Sequence, residues 1–322
     1  MPKPVTGEYH ELMHYTTAGG LMGIVASGCL WATHAAFLND AQEIIHFFDA
    51  RLPSIADDAV QAYVDKLAER PDIAQRMSDD GGAEAISKAE SARLVASMRK
   101  VTLAVNQPHI FSMSAAREDL IRRNGLLSQW RGYGTDGGYA IVFDTAGFER
   151  LLTDEAETHR YHLVQWGDVF YYGPGEVSQP SSEDVAELEL AVRAGVLGLV
   201  RAEASAAPAG LYEAVTSLSC LYKHWGFSEE HEVRVIAVPA NSSSQEQKPL
   251  KETKFFLRAG IPVPYIELFR PADTPRARLP IKRVIVGPHR DTALRKTAVE
   301  RLLSAYGYDA EVECSEIPYI GR

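Results

Sequence analysis

The segment that most constrains the fold is Leu12–Trp31. Leu12-Met13-His14-Tyr15-Thr16 alternates roughly between apolar and polar and is built of bulky or β-branched residues, which predicts a short strand. Leu21, Ile24 and Val25 follow at i, i+3 and i+4, one face of a helix. Ser27-Gly28 is a stop signal, because glycine takes up the left-handed conformation at a helix C-terminus. Leu30-Trp31-Ala32 then reads as a second strand. A strand, a glycine-rich helix and a strand, with His14 at the exit of the first, can set an imidazole beside a ligand. The plainer alternative is a strand-end histidine with its hydrogen bond satisfied.

The chain of 322 residues is long enough for one large domain with a full core. Hydrophobic content of 46% and charged content of 24% are those of a globular protein. A net charge of -10 argues against broad affinity for nucleic acid or anionic membranes, without excluding a local basic groove. Cys29, Cys220 and Cys314 are too scattered for a disulfide framework or a zinc site. Met1-Pro2-Lys3-Pro4-Val5 lacks a signal-peptide core, and no apolar run approaches the roughly 20 residues that span a bilayer. The expectation is a cytoplasmic protein with no membrane partner.

Asp40 and Glu43 have capping-box spacing ahead of a helix running to Leu52. Residues 55–98 predict two helices divided at Ser78–Gly82, and Val101–Val105 and Ile110–Ser114 predict strands. In Leu126–Asp144 a helical turn containing Trp130 and Tyr133 gives way to four glycines within 132–138, then to a strand at Tyr139–Phe143. That pattern is neither a Rossmann nor a P-loop fingerprint; it means a tight turn or close backbone approach. Helices are predicted over 183–204 and 211–225. Period two in the strand from Glu232 puts Glu232 and Arg234 on one face and Val233 and Val235 on the other. Later strands are predicted at 255–258, 265–269, 281–288 and 310–315, with a helix over 292–306. The whole predicts a single α+β domain over 1–322, with a mixed, mainly antiparallel core and helical insertions at 40–100 and 183–226.

Taken in order, His14-Tyr15-Thr16, Asn39-Asp40-Glu43, Trp130-Tyr133 with Gly138 and Phe143-Asp144, Lys223 with Glu232-Arg234, and Val284–Pro288 resemble a bacterial family catalogued as domain of unknown function 2971. The shared order of these motifs spans most of the chain. The opening His-x-Thr strand and helix are also similar, more weakly, to ADP-ribosyltransferases of the His-Tyr-Glu class, which include DNA-targeting toxins and RNA 2′-phosphotransferases. That second resemblance implies a split sheet and NAD as substrate. It assigns His14 to the ribose, Tyr139 or Tyr133 to nicotinamide and Glu232 to transfer, as catalytic residues. Lys223 or Arg234 would offset the pyrophosphate, and Thr16, Trp31 and Asn39 would line the pocket. The acceptor would be a protein, a nucleic acid or water, with no metal, and a toxin or phage-defence role follows from the company such enzymes keep. Cleaving the nicotinamide–ribose bond builds positive charge on the ribose, so a carboxylate beside it stabilises the transition state, and Glu232 can in principle take the nucleophile's proton. Two other readings stay open. One is a regulatory binding domain using Trp130, Tyr133, Lys223 and Arg234. The other is a metal-dependent hydrolase or nuclease using His14, Asp40, Glu43 and Glu232.

Overall fold

The computed structural model describes residues 5–38, 41–133, 137–173, 183–201, 208–240, 248–269 and 278–318. The chain begins with a short helix α1 (Val5–Glu8), strand β1 (Glu11–Thr16), helix α2 (Ala18–Ser27) and strand β2 (Leu30–His34). Thr17 caps α2 by accepting from the Gly20 amide, and Gly28 closes it at φ 67°. A helical tract follows as α3 (Ala41–His46), a π turn over Phe47–Arg51, α4 (Leu52–Ala68), α5 (Pro71–Asp79) and α6 (Ala83–Lys100). Pro71 at the start of α5 divides what the sequence reads as one helix.

Val101–Val105 is not a strand. It continues α6 as a π-helical segment, Val101–Asn106, that ends at Gln107 with φ 46°. Its β-branched residues favour a strand only weakly, and no breaker separates them from the preceding helix. Strand β3 (His109–Ser114), helices α7 (Asp119–Asn124) and α8 (Leu127–Tyr133), strand β4 (Tyr139–Asp144), helix α9 (Thr145–Thr158) and strands β5 (Tyr161–Asp168) and β6 (Phe170–Tyr172) come next. Helices α10 (Glu183–Val200) and α11 (Pro208–Leu221) follow. The helix expected to reach Trp225 stops at Leu221, and Tyr222–His224 forms β7, paired in parallel with β6. The remainder is a 3-10 turn at Trp225–Glu230, then β8 (Glu232–Pro239), β9 (Lys254–Arg258), β10 (Ile261–Leu268), β11 (Ile281–Val286), α12 (Thr292–Ala305) and β12 (Glu311–Cys314).

These elements make a single α+β architecture around a mixed, mostly antiparallel sheet. Ten strands among the described residues run β12-β11-β4-β1-β3-β2-β10-β9, with β8 on β3 and β5 on β8; β11–β12 pair in parallel. All six residues of β3 pair with β8, from His109↔Ala237 to Ser114↔Glu232. The other edge of β3 is shared. β1 meets it at Met13↔Ser114, and β2 meets it at Thr33↔Ile110 and His34↔His109. The sheet therefore forks, and the gap lies along Phe111–Met113.

Alternation fixes what each face carries. Leu12, Phe111, Ile141, Phe143, Val233 and Val235 build the core under α2, α9 and α12. The opposite face carries Met13, Tyr15, Ala140 and Val142 under Trp130 of α8. Farther along that face, Ile110, Ile236 and Val238 pack with α4, α6, α10 and α11 in a helical layer. The two helical insertions thus form one layer. No helix among the described residues is long and apolar enough to cross a membrane.

Candidate functional site

His14 occupies the fork. Its Nδ1 lies 3.0 Å from the Ser112 carbonyl, in the gap where a β1–β3 ladder would otherwise continue. A carbonyl only accepts, so Nδ1 carries the proton and Nε2 presents a lone pair. The ring packs on Phe111 with centroids 4.5 Å apart. Burial holds the imidazole pKa below its ordinary value, against the opposing pull of the Ser112 carbonyl, so the ring is neutral at pH 7.

Two cavities adjoin this residue. The larger, about 370 Å³, is lined by His14, Thr16, Gly19, Gly20, Gly23, Ile24, Cys29, Trp31 and Phe111. Glycines create it. A Cβ on Gly20 would lie 2.0 Å from Thr16 Oγ1, whereas one on Gly23 would project into open space. Trp31 stacks on Tyr265 at 4.2 Å, which fixes the aromatic wall. The smaller cavity, about 60 Å³, lies on the other face of the sheet, lined among others by His14, Ser112, Ser114, Gln129, Tyr133, Glu230 and Glu232. Trp130 anchors α8 over it, donating to the Asn124 carbonyl at 2.9 Å and meeting Tyr15 edge-on at 4.8 Å. Gln129 and Tyr133, four residues apart on α8, then share the cavity side.

Glu232 opens β8 in a buried ionic cluster. Arg234 Nε donates to Oε1 at 2.7 Å and Nη2 to Oε2 at 3.0 Å, while Nη1 donates to the Cys220 carbonyl at 2.7 Å. Lys223 Nζ reaches Glu232 Oε2 at 3.0 Å and Glu230 Oε2 at 2.8 Å, and sits 4.8 Å from the Phe227 ring centroid. Burial alone would raise the Glu232 pKa. The charges of Arg234 and Lys223, with hydrogen bonds from Arg234 and Ser112, outweigh it and hold the pKa at about 2. The same carboxylates push the Lys223 pKa upward against desolvation.

The structure thus brings His14, Tyr133 and Glu232 to one cavity, and His14, Thr16 and Trp31 to the other. Register qualifies the first grouping. Met13, Ser114 and Glu232 are cross-strand neighbours on one face, so the His14 side chain leaves β1 from the opposite face. A ligand that touches both must pass through the fork. Tyr139 pairs with Thr16, is buried in the core beneath Arg295 at 5.9 Å, and lines neither cavity. Lys223 and Arg234 line neither of these two cavities and are engaged by carboxylates. Asn39 and Asp40 lie outside the described residues, as does the Glu43 side chain. No group of three or more His, Cys, Asp or Glu among the described residues could hold a metal ion.

Sequence reasoning missed Gln129, Ser112, Ser114 and Glu230. Gln129 sits beside the Trp130-Tyr133 motif and Glu230 two residues before Glu232; nothing in the sequence marks the serines. Residues 129–235 match the family model described as protein of unknown function, DUF2971. The DUF2971 match begins at Gln129, ends one residue past Arg234, and so takes in the ionic cluster and the α8 wall. His14-Tyr15-Thr16, Asn39–Glu43 and Val284–Pro288 fall outside it. No curated protein and no solved structure matches the chain.

Proposed function

We propose that the chain binds the nucleoside half of NAD at the sheet fork and acts on its glycosidic bond, as an ADP-ribosyltransferase or an NAD glycohydrolase. One observation carries this reading: a cavity with a glycine floor and Trp31 and Phe111 walls, closed by a neutral histidine whose Nε2 is a hydrogen-bond acceptor. Glycines and aromatic walls admit a flat ring, and a sugar hydroxyl is the natural donor to Nε2. No Lys or Arg among the described residues lines the cavity, so the polar half of the dinucleotide extends away from it.

When the C1′–N bond breaks, its electrons leave with nicotinamide and positive charge develops on the ribose. Glu232, ionised at all physiological pH, serves as a fixed negative charge across the fork. A carboxyl held near pKa 2 is a weak base, so the proton of the attacking hydroxyl passes to His14 or to solvent rather than to Glu232.

The test is nicotinamide release from NAD by the purified chain, with label transfer to a cell lysate as a parallel readout. Release that falls at least about 100-fold in both His14→Ala and Glu232→Gln, with folding intact by circular dichroism, supports the reading. No NAD binding by calorimetry at millimolar concentration, with all three proteins inert, sinks it. A specific observation favours a second reading, a binding module without catalysis: Arg234, Lys223 and Ser112 already occupy the Glu232 oxygens. NAD binding without turnover would select it.

A further inference from the structure

The sheet ends at β9, and among the described residues no strand pairs with the outer side of that strand. Ala259 and Gly260 turn the hairpin at φ 50° and 81°, a two-residue loop of type I′, so the flanking Arg258 and Ile261 form a hydrogen-bonded pair. Alternation makes Phe256–Val263 and Lys254–Tyr265 hydrogen-bonded pairs as well. The amides and carbonyls of Phe255 and Leu257 therefore point outward, away from β10. On β10 the outward positions past its last β2 partner, Tyr265, are Pro262 and Pro264, which have no N–H to offer. One edge of the hairpin is closed by prolines and the other is open to a further strand.

The side chains at that open edge are also uncovered. Phe255 is 64% and Leu257 78% exposed, on the face opposite Lys254, Phe256 and Arg258. The strand Lys254-Phe255-Phe256-Leu257-Arg258 reads cation, three apolar residues, cation from either end. Its cations are held by their own chain. Lys254 Nζ donates to Glu267 at 2.8 Å, Arg258 donates to the Phe37 carbonyl, and Lys251 just upstream reaches Glu155 at 2.6 Å. An acidic peptide or an anionic lipid surface would have to compete with these partners. What complements the edge is an apolar strand whose own charges are turned inward, and the same strand of a second copy has that chemistry.

We infer that two copies of the chain pair antiparallel through β9, about a two-fold axis at Phe256. In this register Phe255 and Leu257 exchange backbone hydrogen bonds with Leu257 and Phe255 of the second copy. Each Phe255 side chain then stands opposite a Leu257, so the exposed residues of one strand cover those of the other. Phe256 meets its counterpart at the axis. It packs on Trp31 at 5.6 Å, so pairing joins the aromatic walls of the two copies' larger cavities. Lys254 stands opposite Arg258, a like-charge contact that Glu267 reduces without cancelling. A five-residue strand pair buries well under the roughly 1,000 Å² of a stable interface, so the dimer is weak, with a Kd of about 10–100 µM.

Sedimentation velocity of the full chain from about 1 to 300 µM tests the pairing. A reversible monomer–dimer equilibrium is expected, and it tightens as salt rises because like charges at the edge and a net charge of -10 on each copy oppose it. Arg258→Glu sets a carboxylate opposite each Lys254 and tightens the dimer at least about fivefold at low salt. Leu257→Pro removes an outward N–H without touching the β9–β10 ladder and abolishes the dimer. Phe256→Cys cross-links on mild oxidation, because its copies meet at the roughly 4.5 Å Cα spacing of a non-hydrogen-bonded pair, and the more exposed Phe255→Cys does so more slowly. Circular dichroism confirms that each variant folds. A monomer at about 300 µM in both the unaltered and the Arg258→Glu chain, or a dimer that persists in folded Leu257→Pro, would overturn the inference. So would a dimer weakened by Arg258→Glu or by salt, or faster cross-linking at position 255 than at 256. Binding to anionic lipid vesicles by a chain that stays monomeric, lost in Leu257→Pro, would give the edge to a membrane surface instead.

Discussion

Arg51–Glu189 and Arg234–Glu232 are the same bidentate pair in two settings. In the helical layer, Arg51 donates to Glu189 through Nε at 2.7 Å and Nη2 at 2.6 Å, and Tyr222 adds a hydroxyl at 3.2 Å. Neither partner lines the cavities at the fork, and apolar side chains of α4, α10 and α11 surround them. The Glu232 pair has further charges, Lys223 and Glu230, and borders the smaller cavity at the fork. β7 joins the clusters, with Tyr222 turned to one and Lys223 to the other. A buried ion pair costs desolvation wherever it stands and is poor evidence of stability. The difference shows where a pair is only closed off and where it is arranged around a space.

The largest effect tests that contrast directly. Glu189→Gln removes the carboxylate that Arg51 donates to, and Glu232→Gln removes the carboxylate shared by Arg234 and Lys223. Each lowers unfolding free energy by about 3–5 kcal/mol in urea melts. Only Glu232→Gln also alters ligand binding in the folded fraction. A loss below about 1 kcal/mol for Glu232→Gln would mean that the cavity solvates the cluster, and the contrast would collapse.

Acid separates the fork from its surroundings next. His109 is buried beside His34, and burial first, then the charge of His34, holds its pKa down at about 4 against the opposing pull of the Gln107 backbone. The unfolded chain therefore takes up a proton at about pH 6.5 that the folded chain takes up only near 4. Stability is complete above about 6.5 and falls as pH drops through that window, by about 3 kcal/mol in all. Glu232 has the opposite character: its contribution is complete above the usual carboxylate pKa and is lost as pH falls toward about 2. Urea melts across pH should show two successive losses. His109→Phe reduces the first, to which the buried His14 and His34 also contribute, and spares the second; a slope unchanged by that substitution would refute the assignment.

How much of this was legible beforehand follows from which forces are local. β1, α2 and β2 could be read because alternation, helical spacing and Gly28 act within a few residues. The same local reading failed at Val101–Asn106, where an unbroken helix overrode a β-branched run, and at Tyr222–His224, where pairing with β6 captured the end of a helical pattern. Glu232 and Arg234 were correctly placed on one face by period two, but their pairing with Lys223 depends on tertiary packing. Tyr139 was drawn toward the site by its position after the glycines, yet register against Thr16 sends it into the core. Gln129 and Ser114 could not be found from sequence, because what marks them is a cavity that only tertiary packing forms.

Gly23→Leu carries the smallest stability effect and tests the larger cavity by itself. Gly23 lies within α2, where a Cβ meets nothing within 4 Å, so the substitution introduces no steric clash at that atom. Replacing a helix-interior glycine contributes up to about 1 kcal/mol of stability. The new side chain enters the larger cavity and displaces whatever ring lies between Trp31 and Phe111. NAD affinity, followed by calorimetry, should fall at least about tenfold while melting temperature holds or rises. An NAD affinity unchanged by Gly23→Leu would show that no ring of the ligand lies between Trp31 and Phe111.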